Sequence, residues 1–257
     1  MIKIGRMTHP IRNLIGEINK TLNMGFDYVE LGIEPLNDNE LINKNVKFIK
    51  KLLNKFSYPP IAHTAWWYDL SSPYDNIRTG WIKQACIDIK TAKQLNARYV
   101  NFHFMIHSGV LLKYKNSKKM ILDNYVKSLK YLCNYADKMM VEVMFENGEE
   151  KFEDYKYVLD KVSKLKVHFD VGHAFISGGM KIIKRFFSYF NDRIVHIHIH
   201  DNHGKQDEHL ALKKGKINWK QVVSILKKSR YDKTITFEVF KSDKDLLKSR
   251  EYFRKLW

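Results

Sequence analysis

Short apolar runs alternate along the chain with longer stretches whose apolar residues recur at helical spacing. Eight runs are predicted as strands: Ile2–Gly5, Tyr28–Leu31, Ile61–His63, Tyr99–His103, Val141–Glu146, Val167–Asp170, Ile194–Ile199 and Thr234–Val239. Eight stretches are predicted as helices: Ile11–Met24, Asn39–Phe56, Asn76–Leu95, Met120–Lys138, Lys151–Lys164, Met180–Tyr189, Trp219–Ser229 and Lys244–Trp257. Alternating strands and helices indicate a parallel sheet, and eight such units favour an α/β fold of the (β/α)8 TIM-barrel type, formed as a single domain over residues 1–257. An open doubly wound sheet is disfavoured because no glycine-rich phosphate-binding loop follows any predicted strand.

The predicted strands carry polar side chains on one face, which is unusual for a parallel sheet covered by helices. In the seventh strand His196, His198 and His200 alternate with Ile197 and Ile199. Because successive side chains point to opposite faces of a strand, we expect the apolar face to pack under the helices and the polar face to point into the barrel. Polar residues of four strands collect at the C-terminal ends, where barrel enzymes have their active sites.

Composition and charge narrow the functional classes only slightly. The 257 residues are 44% hydrophobic, and 45 Lys and Arg against 28 Asp and Glu give a net charge of +17. That charge suits an anionic partner but also occurs in Lys-rich proteins without one. Cys86 and Cys133 lack metal or redox spacing, so we expect free buried thiols. With no apolar signal peptide and no bilayer-spanning run, we predict a cytoplasmic protein without membrane contact, of open oligomeric state.

Nine His, Asp and Glu residues fall at or just after the ends of predicted strands three to eight. They are His63, His103, Glu146, Asp170, His173, His198, Asp207, His209 and Glu238. Burying so many ionisable groups together is costly unless a cation compensates them, so the set predicts a divalent metal site. Mixed imidazole and carboxylate ligands suit Zn²⁺, and also Mn²⁺ or Fe²⁺.

Other polar and aromatic residues near the strand ends have their own interpretations. Structural or ligand-orienting roles are assigned to His107, His168, His196, His200 and His203. Glu30 and Glu142 are expected to pair with Lys or Arg at the barrel bottom or rim, and Asp201 to cap the loop that follows it. Trp66 and Trp67 are predicted to form a wall of the substrate site.

Seven segments resemble the xylose-isomerase-like barrel superfamily. They are Ile61–His63, Asn101–His103, Phe145–Asn147, Phe169–Phe175, His198–Asp201, Asp207–His209 and Phe237–Glu238. That superfamily includes endonuclease IV-type apurinic/apyrimidinic endonucleases as well as sugar isomerases and epimerases. The resemblance covers nearly the whole chain, and it implies a TIM barrel with metal-dependent chemistry at its C-terminal rim.

The two branches of the superfamily imply different ligand sets. Resemblance to the epimerases implies one metal ion on Glu146, Asp170, His198 and Glu238, with Glu146 and Glu238 also acting as an acid/base pair. Resemblance to the endonucleases implies three zinc ions. Glu146 would bridge two ions, with His63 and His103 on the first, Asp170, His198 and Glu238 on the second, and His173, Asp207 and His209 on the third. Because all nine are present, the first hypothesis is a zinc phosphodiesterase in which metal-bound hydroxide cleaves abasic-site DNA or a related phosphoester.

Departures from the endonuclease pattern keep open a second hypothesis, a sugar or sugar-phosphate isomerase or epimerase. Gly5–Thr8 and the segment ending at Glu34 resemble the sugar isomerases, in which Glu34 would face the substrate. Phe104–Met105 stands where the endonucleases have Pro-Gly, and Lys205 beside the ligand loop is a candidate phosphate contact. A third hypothesis, a non-catalytic nucleic-acid-binding barrel, is disfavoured because the whole ligand set is retained.

Overall fold

Eight parallel strands close into a barrel in chain order, as predicted. The computed structural model describes residues 2–37, 39–107 and 109–257. The strands are β1 (Lys3–Met7), β2 (Tyr28–Ile33), β3 (Ile61–Thr64), β4 (Tyr99–His103), β5 (Glu142–Glu146), β6 (Lys166–Asp170), β7 (Ile194–Ile199) and β8 (Thr234–Phe237). The main helices are α1 (Leu14–Asn23), α2 (Asn39–Leu53), α3 (Asp75–Gln94), α4 (Lys115–Lys138), α5 (Phe152–Lys161), α6 (Val171–Phe190), α7 (Trp219–Lys228) and α8 (Asp243–Leu256). The molecule is a single TIM-barrel domain.

Helix α6 differs most from its prediction. The sequence predicts a loop after β6 and a helix over Met180–Tyr189, but α6 begins at Val171, directly after the strand. Asp170 caps it, because its Oδ1 accepts a hydrogen bond from the backbone N–H of His173 at 2.6 Å. The helix is interrupted at Gly179, whose φ of 66° favours glycine. His173 therefore lies in the first turn of a helix and not in the predicted loop.

The main hydrophobic core lies between the barrel and the helices, as the strand pattern predicts. Ile197 and Ile199 of β7 are fully buried in it. Cys133 is buried and Cys86 half-buried, and both are free thiols. Within the part of the chain that the structure describes, no helix is both long and apolar enough to cross a membrane.

The N-terminal end of the barrel interior is apolar. A small cluster fills that end: Tyr28, Ile61, Tyr99, Met144 and Val195. The ring of Tyr28 crosses over Gly5, where an added Cβ would stand 2.3 Å from ring carbons. Glycine at this position therefore lets one aromatic ring block the barrel floor.

A polar layer lies above that floor. Glu30, Asn101, His168, His196 and Thr236 are all completely buried there. The Oε2 atom of Glu30 lies 2.9 Å from Nε2 of His196. The expected pairing of Glu30 with Lys or Arg is therefore wrong, because β7 brings imidazoles to its carboxylate across the barrel.

Glu142 does pair with cations at the barrel bottom, as predicted. Its Oε1 lies 3.2 Å from Nε of Arg98, and its Oε2 lies 3.3 Å from Nζ of Lys166. Both contacts are partly exposed, so they contribute little to stability.

Candidate metal centre

The C-terminal ends of the strands surround a cavity of about 710 Å³. Seven of the nine predicted ligands line it: His63, His103, Glu146, His173, Asp207, His209 and Glu238. Asp170 and His198 lie beneath, completely buried. The structure thus brings all nine side chains to one site.

The two carboxylate oxygens of Glu146 face different groups. Its Oε2 lies 3.2 Å from Nε2 of His63 and 3.2 Å from Nε2 of His103. Its Oε1 lies 3.7 Å from Nδ1 of His198. Asn101 of β4 donates a hydrogen bond to Oε2 at 2.5 Å and so fixes the orientation of the carboxylate. Glu146 therefore stands between two sets of possible ligands.

His198 presents Nδ1 to three carboxylates, of which Glu146 is one. Its Nδ1 is 3.2 Å from Oε2 of Glu238 and 3.8 Å from Oδ2 of Asp170. Its other nitrogen, Nε2, lies 2.9 Å from Oε2 of Glu30. A buried carboxylate on one ring nitrogen leaves the opposite nitrogen available to a metal.

Asp207 links the two histidines of a third group of possible ligands. Its Oδ2 lies 3.2 Å from Nε2 of His173 and 2.8 Å from Nε2 of His209. His209 has a φ of 44°, in the left-handed region that non-glycine residues seldom adopt. Strain of this kind persists where the surrounding contacts fix the backbone, and it is frequent at functional sites.

Asp201 fixes the loop that carries Asp207 and His209. Its Oδ2 accepts hydrogen bonds from the backbone of Lys213 and from Nε1 of Trp219, both at 2.9 Å. Its Oδ1 accepts one from the backbone of Ile217 at 3.1 Å. The predicted capping role of Asp201 is therefore confirmed.

Burial and charge act against each other on the ionisable groups. Burial lowers the pKa of His103 to about 3. Burial also disfavours the charged form of His209, but the carboxylates of Glu238 and Asp207 outweigh it and raise its pKa to about 9. Burial raises the pKa of Glu146, yet the surrounding histidines, His168 foremost, hold it well below its usual range. The site thus keeps carboxylates ionised in a buried place, which favours a bound cation.

Unpartnered polar atoms test whether the residues fit a metal. Among the described residues, Nδ1 of His103, Oδ2 of Asp170 and both ring nitrogens of His200 are buried without a hydrogen-bond partner. Such atoms are rare in folded proteins unless water or an ion satisfies them. Possible ligand atoms lie within 4.8 Å of one another in several groups, including His63–His103–Glu146 and Glu146–Asp170–His198. The residues therefore form candidate sites for a divalent metal.

Two histidines with assigned supporting roles reach this network. Nδ1 of His168 lies 3.2 Å from Oε2 of Glu146, and Nε2 of His200 lies 3.3 Å from Oδ2 of Asp170. The alternation of polar residues along β6 and β7 was the sequence signal for both. His203, in contrast, is an exposed partner of Glu208.

Only some of the predicted substrate contacts lie at the cavity. Trp66 and Glu34 line the cavity. Trp67 lines a separate cavity of about 340 Å³ and packs against the core, so it forms no wall of the main cavity. Lys205 is exposed and outside the lining. Sequence reasoning missed Glu150, which lines the cavity and accepts a hydrogen bond from the backbone N–H of Ile106 at 2.9 Å.

Comparison with known proteins agrees with this architecture. A family model described as the xylose isomerase-like TIM barrel matches residues 18–256. The uncharacterised protein MJ1614 of Methanocaldococcus jannaschii is 30% identical over 217 residues, which are 82% of this chain and 81% of that protein. A probable endonuclease 4 of Haloquadratum walsbyi is 26% identical over 193 residues, 68% of this chain and 67% of that protein.

A solved structure has the same fold. It is a D-tagatose 3-epimerase-like protein, which superposes with a TM-score of 0.84 at 24% identity and covers 99% of this chain and 97% of its own. Since the family model spans nearly all of the chain, the protein belongs to the xylose isomerase-like TIM-barrel family.

Proposed function

We propose that the protein is a phosphoester hydrolase that uses more than one bound divalent cation, with zinc as the first candidate. The observation that carries the proposal is the position of Glu146. Its Oε2 faces His63 and His103, whereas its Oε1 faces His198. A carboxylate placed between two ligand groups suits two neighbouring cations, and paired cations are a recurrent means of phosphoester cleavage.

The proposed ligand groups follow the observed contacts. His63, His103 and Glu146 form the first, Glu146, Asp170, His198 and Glu238 the second, and His173, Asp207 and His209 the third. Bound cations would activate water and neutralise the charge of the phosphate.

Residues of the chain itself orient this arrangement. Asn101 holds Oε2 of Glu146 by donating its side-chain N–H. Glu30 accepts from Nε2 of His198, so the proton of the neutral ring stays on that nitrogen and Nδ1 faces the carboxylates. Phe104 and Phe240 form apolar walls that limit water around the reacting group.

The cavity lining restricts how a phosphate is bound. Among the described residues that line it, none is Lys or Arg. The phosphate would therefore depend on the cations for its affinity, while the net charge of +17 would attract a nucleic acid only at longer range. Abasic DNA and a small phosphodiester are thus both substrates to test, and Lys205 would contact phosphate only outside the cavity.

The test combines metal counting with two substrates. Elemental analysis of the metal-loaded protein should find more than one divalent ion per chain, and chelation should abolish cleavage of an abasic duplex or of a chromogenic phosphodiester. His103→Asn should lose both metal and activity. His203→Asn is the matched control, because His203 is exposed, pairs with Glu208 and does not line the cavity. One tightly bound ion and no cleavage of either substrate would end the proposal.

A second candidate function, sugar epimerisation, has its own supporting observation. Glu146 and Glu238 both line a cavity without Lys or Arg among its described residues, which suits an uncharged ligand. In this alternative one carboxylate removes a proton from the carbon beside the carbonyl of a ketose, and the other returns a proton to that carbon. Deuterium incorporation at a carbon of a trial ketose, lost in Glu238→Gln, would support it, and no exchange across a panel of free and phosphorylated sugars would exclude it.

A further inference from the structure

His200 occupies the interior face at the end of β7, in line with His196 and His198. It is completely buried, and neither ring nitrogen has a hydrogen-bond partner among the described residues. Its ring fits there because residue 172 is glycine: a Cβ at Gly172 would stand 2.1 Å from Cε1 of His200. The backbone of α6 thus makes room for an imidazole that forms no hydrogen bond with the described residues.

The nearest acceptors of His200 belong to two of the proposed ligand groups. Its Nε2 lies 3.3 Å from Oδ2 of Asp170, which has no hydrogen-bond partner among the described residues, and 3.6 Å from Oδ1 of Asp207. Ligand atoms around a tetrahedral zinc ion, at bond lengths near 2.1 Å, are separated by about 3.4 Å. These spacings are therefore those of atoms that share a cation.

The two oxygens of Asp207 have different neighbours. Oδ2 contacts His173 and His209, whereas Oδ1 faces His200. Asp170, His173 and His200 also form a group whose ligand atoms all lie within 4.8 Å of one another. His200 therefore stands at the junction of the second and third groups.

We propose that His200 is itself a metal ligand, and that Asp170, His173 and His200 hold a divalent cation between the second and third ligand groups. This inference rests on the metal-binding part of the proposed function and not on the reaction. It assigns to His200 a role beyond orienting other ligands, and it adds a cation position that depends on the residue directly after β7 as well as on β6 and the first turn of α6.

The test replaces His200 with another ligand that has a spectroscopic signature. His200→Cys, loaded with Co²⁺, should show the intense near-ultraviolet thiolate-to-cobalt charge-transfer band of a directly bound thiolate. His203→Cys is the matched control, because His203 is exposed on the same loop, and it should show no such band. The wild-type protein, whose cysteines are Cys86 and Cys133, gives the baseline.

A second variant measures the loss of binding. Removal of a residue that supports a ligand costs roughly 10–100-fold in metal affinity. Because His200 is proposed to bind the ion directly, His200→Ala should weaken the binding of one ion by at least that factor, and elemental analysis should find fewer ions per chain. No band in His200→Cys and wild-type affinity in His200→Ala would overturn the role of His200 while leaving the metal centre intact. Failure of the wild-type protein to bind Co²⁺ would instead overturn the proposed metal centre.

Discussion

Glu30→Gln tests how the buried polar layer controls the metal centre. Glu30 is completely buried, and its Oε2 lies 2.9 Å from Nε2 of both His196 and His198. Although burial raises its pKa, the charges of His198 and His196 hold it well below the usual range, so the carboxylate is ionised. An ionised carboxylate only accepts hydrogen bonds, whereas an amide keeps one acceptor oxygen for the two rings but lacks the negative charge and is a weaker acceptor.

The expected magnitudes follow from this geometry. Removing one partner of a buried charged pair costs about 3–5 kcal/mol of stability, and the amide, which keeps the shape and one acceptor, should cost the lower part of that range. The substitution also frees the proton of His198 to move to Nδ1, the nitrogen that faces Glu238 and Asp170. Loss of a carboxylate behind a ligating histidine costs roughly 10–100-fold in metal affinity.

The assay measures both quantities in one pair of variants. Urea unfolding of the chelated protein gives the stability, and competition with a coloured chelator gives the metal affinity. Glu142→Gln is the control, because Glu142 pairs with Arg98 and Lys166 at the partly exposed end of the barrel and should change both quantities little. Wild-type metal affinity in Glu30→Gln would refute the orienting role, even if stability fell.

Four further outcomes follow from the contacts. Gly172→Ala should lower the free energy of unfolding by about 1–3 kcal/mol in urea titrations, because its Cβ overlaps the ring of His200; an unchanged value would mean that the ring moves aside without cost. Asp201→Ala should speed proteolysis of the following loop, since four donors lose their acceptor; wild-type cleavage rates would contradict this anchoring role. Chelation should lower the unfolding temperature measured by calorimetry, because ions that bind only the folded chain stabilise it. The raised pKa of His209, about 9, means that its contribution to metal-free stability is complete below about 6.5 and lost as pH rises through 9, while metal affinity should rise over the same interval; a flat profile would contradict both.

The barrel and the placement of the ligands were predictable because both depend on local, repeated patterns. Alternation along β7 puts His196 and His198 on one face and Ile197 on the other, and closure of the sheet makes one face the interior. Chain order then carries Glu146 and Glu238 to the same rim without any need to know loop conformations. A pattern of period two, repeated in several parallel strands, therefore determines most of the site.

What could not be predicted depends on contacts between distant segments. The sequence predicts a loop after β6, but the segment is helical from Val171, and Gly172 within that helix packs against the ring of His200, which follows β7. The cap at Asp170, three residues before His173, was the local signal that could have placed the start of α6. Glu30 and His196 are 166 residues apart, and no feature of either segment names the other as its partner.

Under the proposed function, the polar layer accounts for how His198 would serve as a metal ligand rather than as a cation. His198 would bind a proton if only carboxylates faced it, because Glu238 and Asp170 lie on its Nδ1 side. Glu30 accepts on the opposite side, so a neutral ring satisfies both ends only when its Nδ1 meets a positive centre that is not a proton. A proton at Nδ1 would charge the ring inside a fully buried layer, whereas a cation shared among several carboxylates spreads that charge over the site. Under the proposed function, a metal ion would therefore take the place of a proton at Nδ1 of His198.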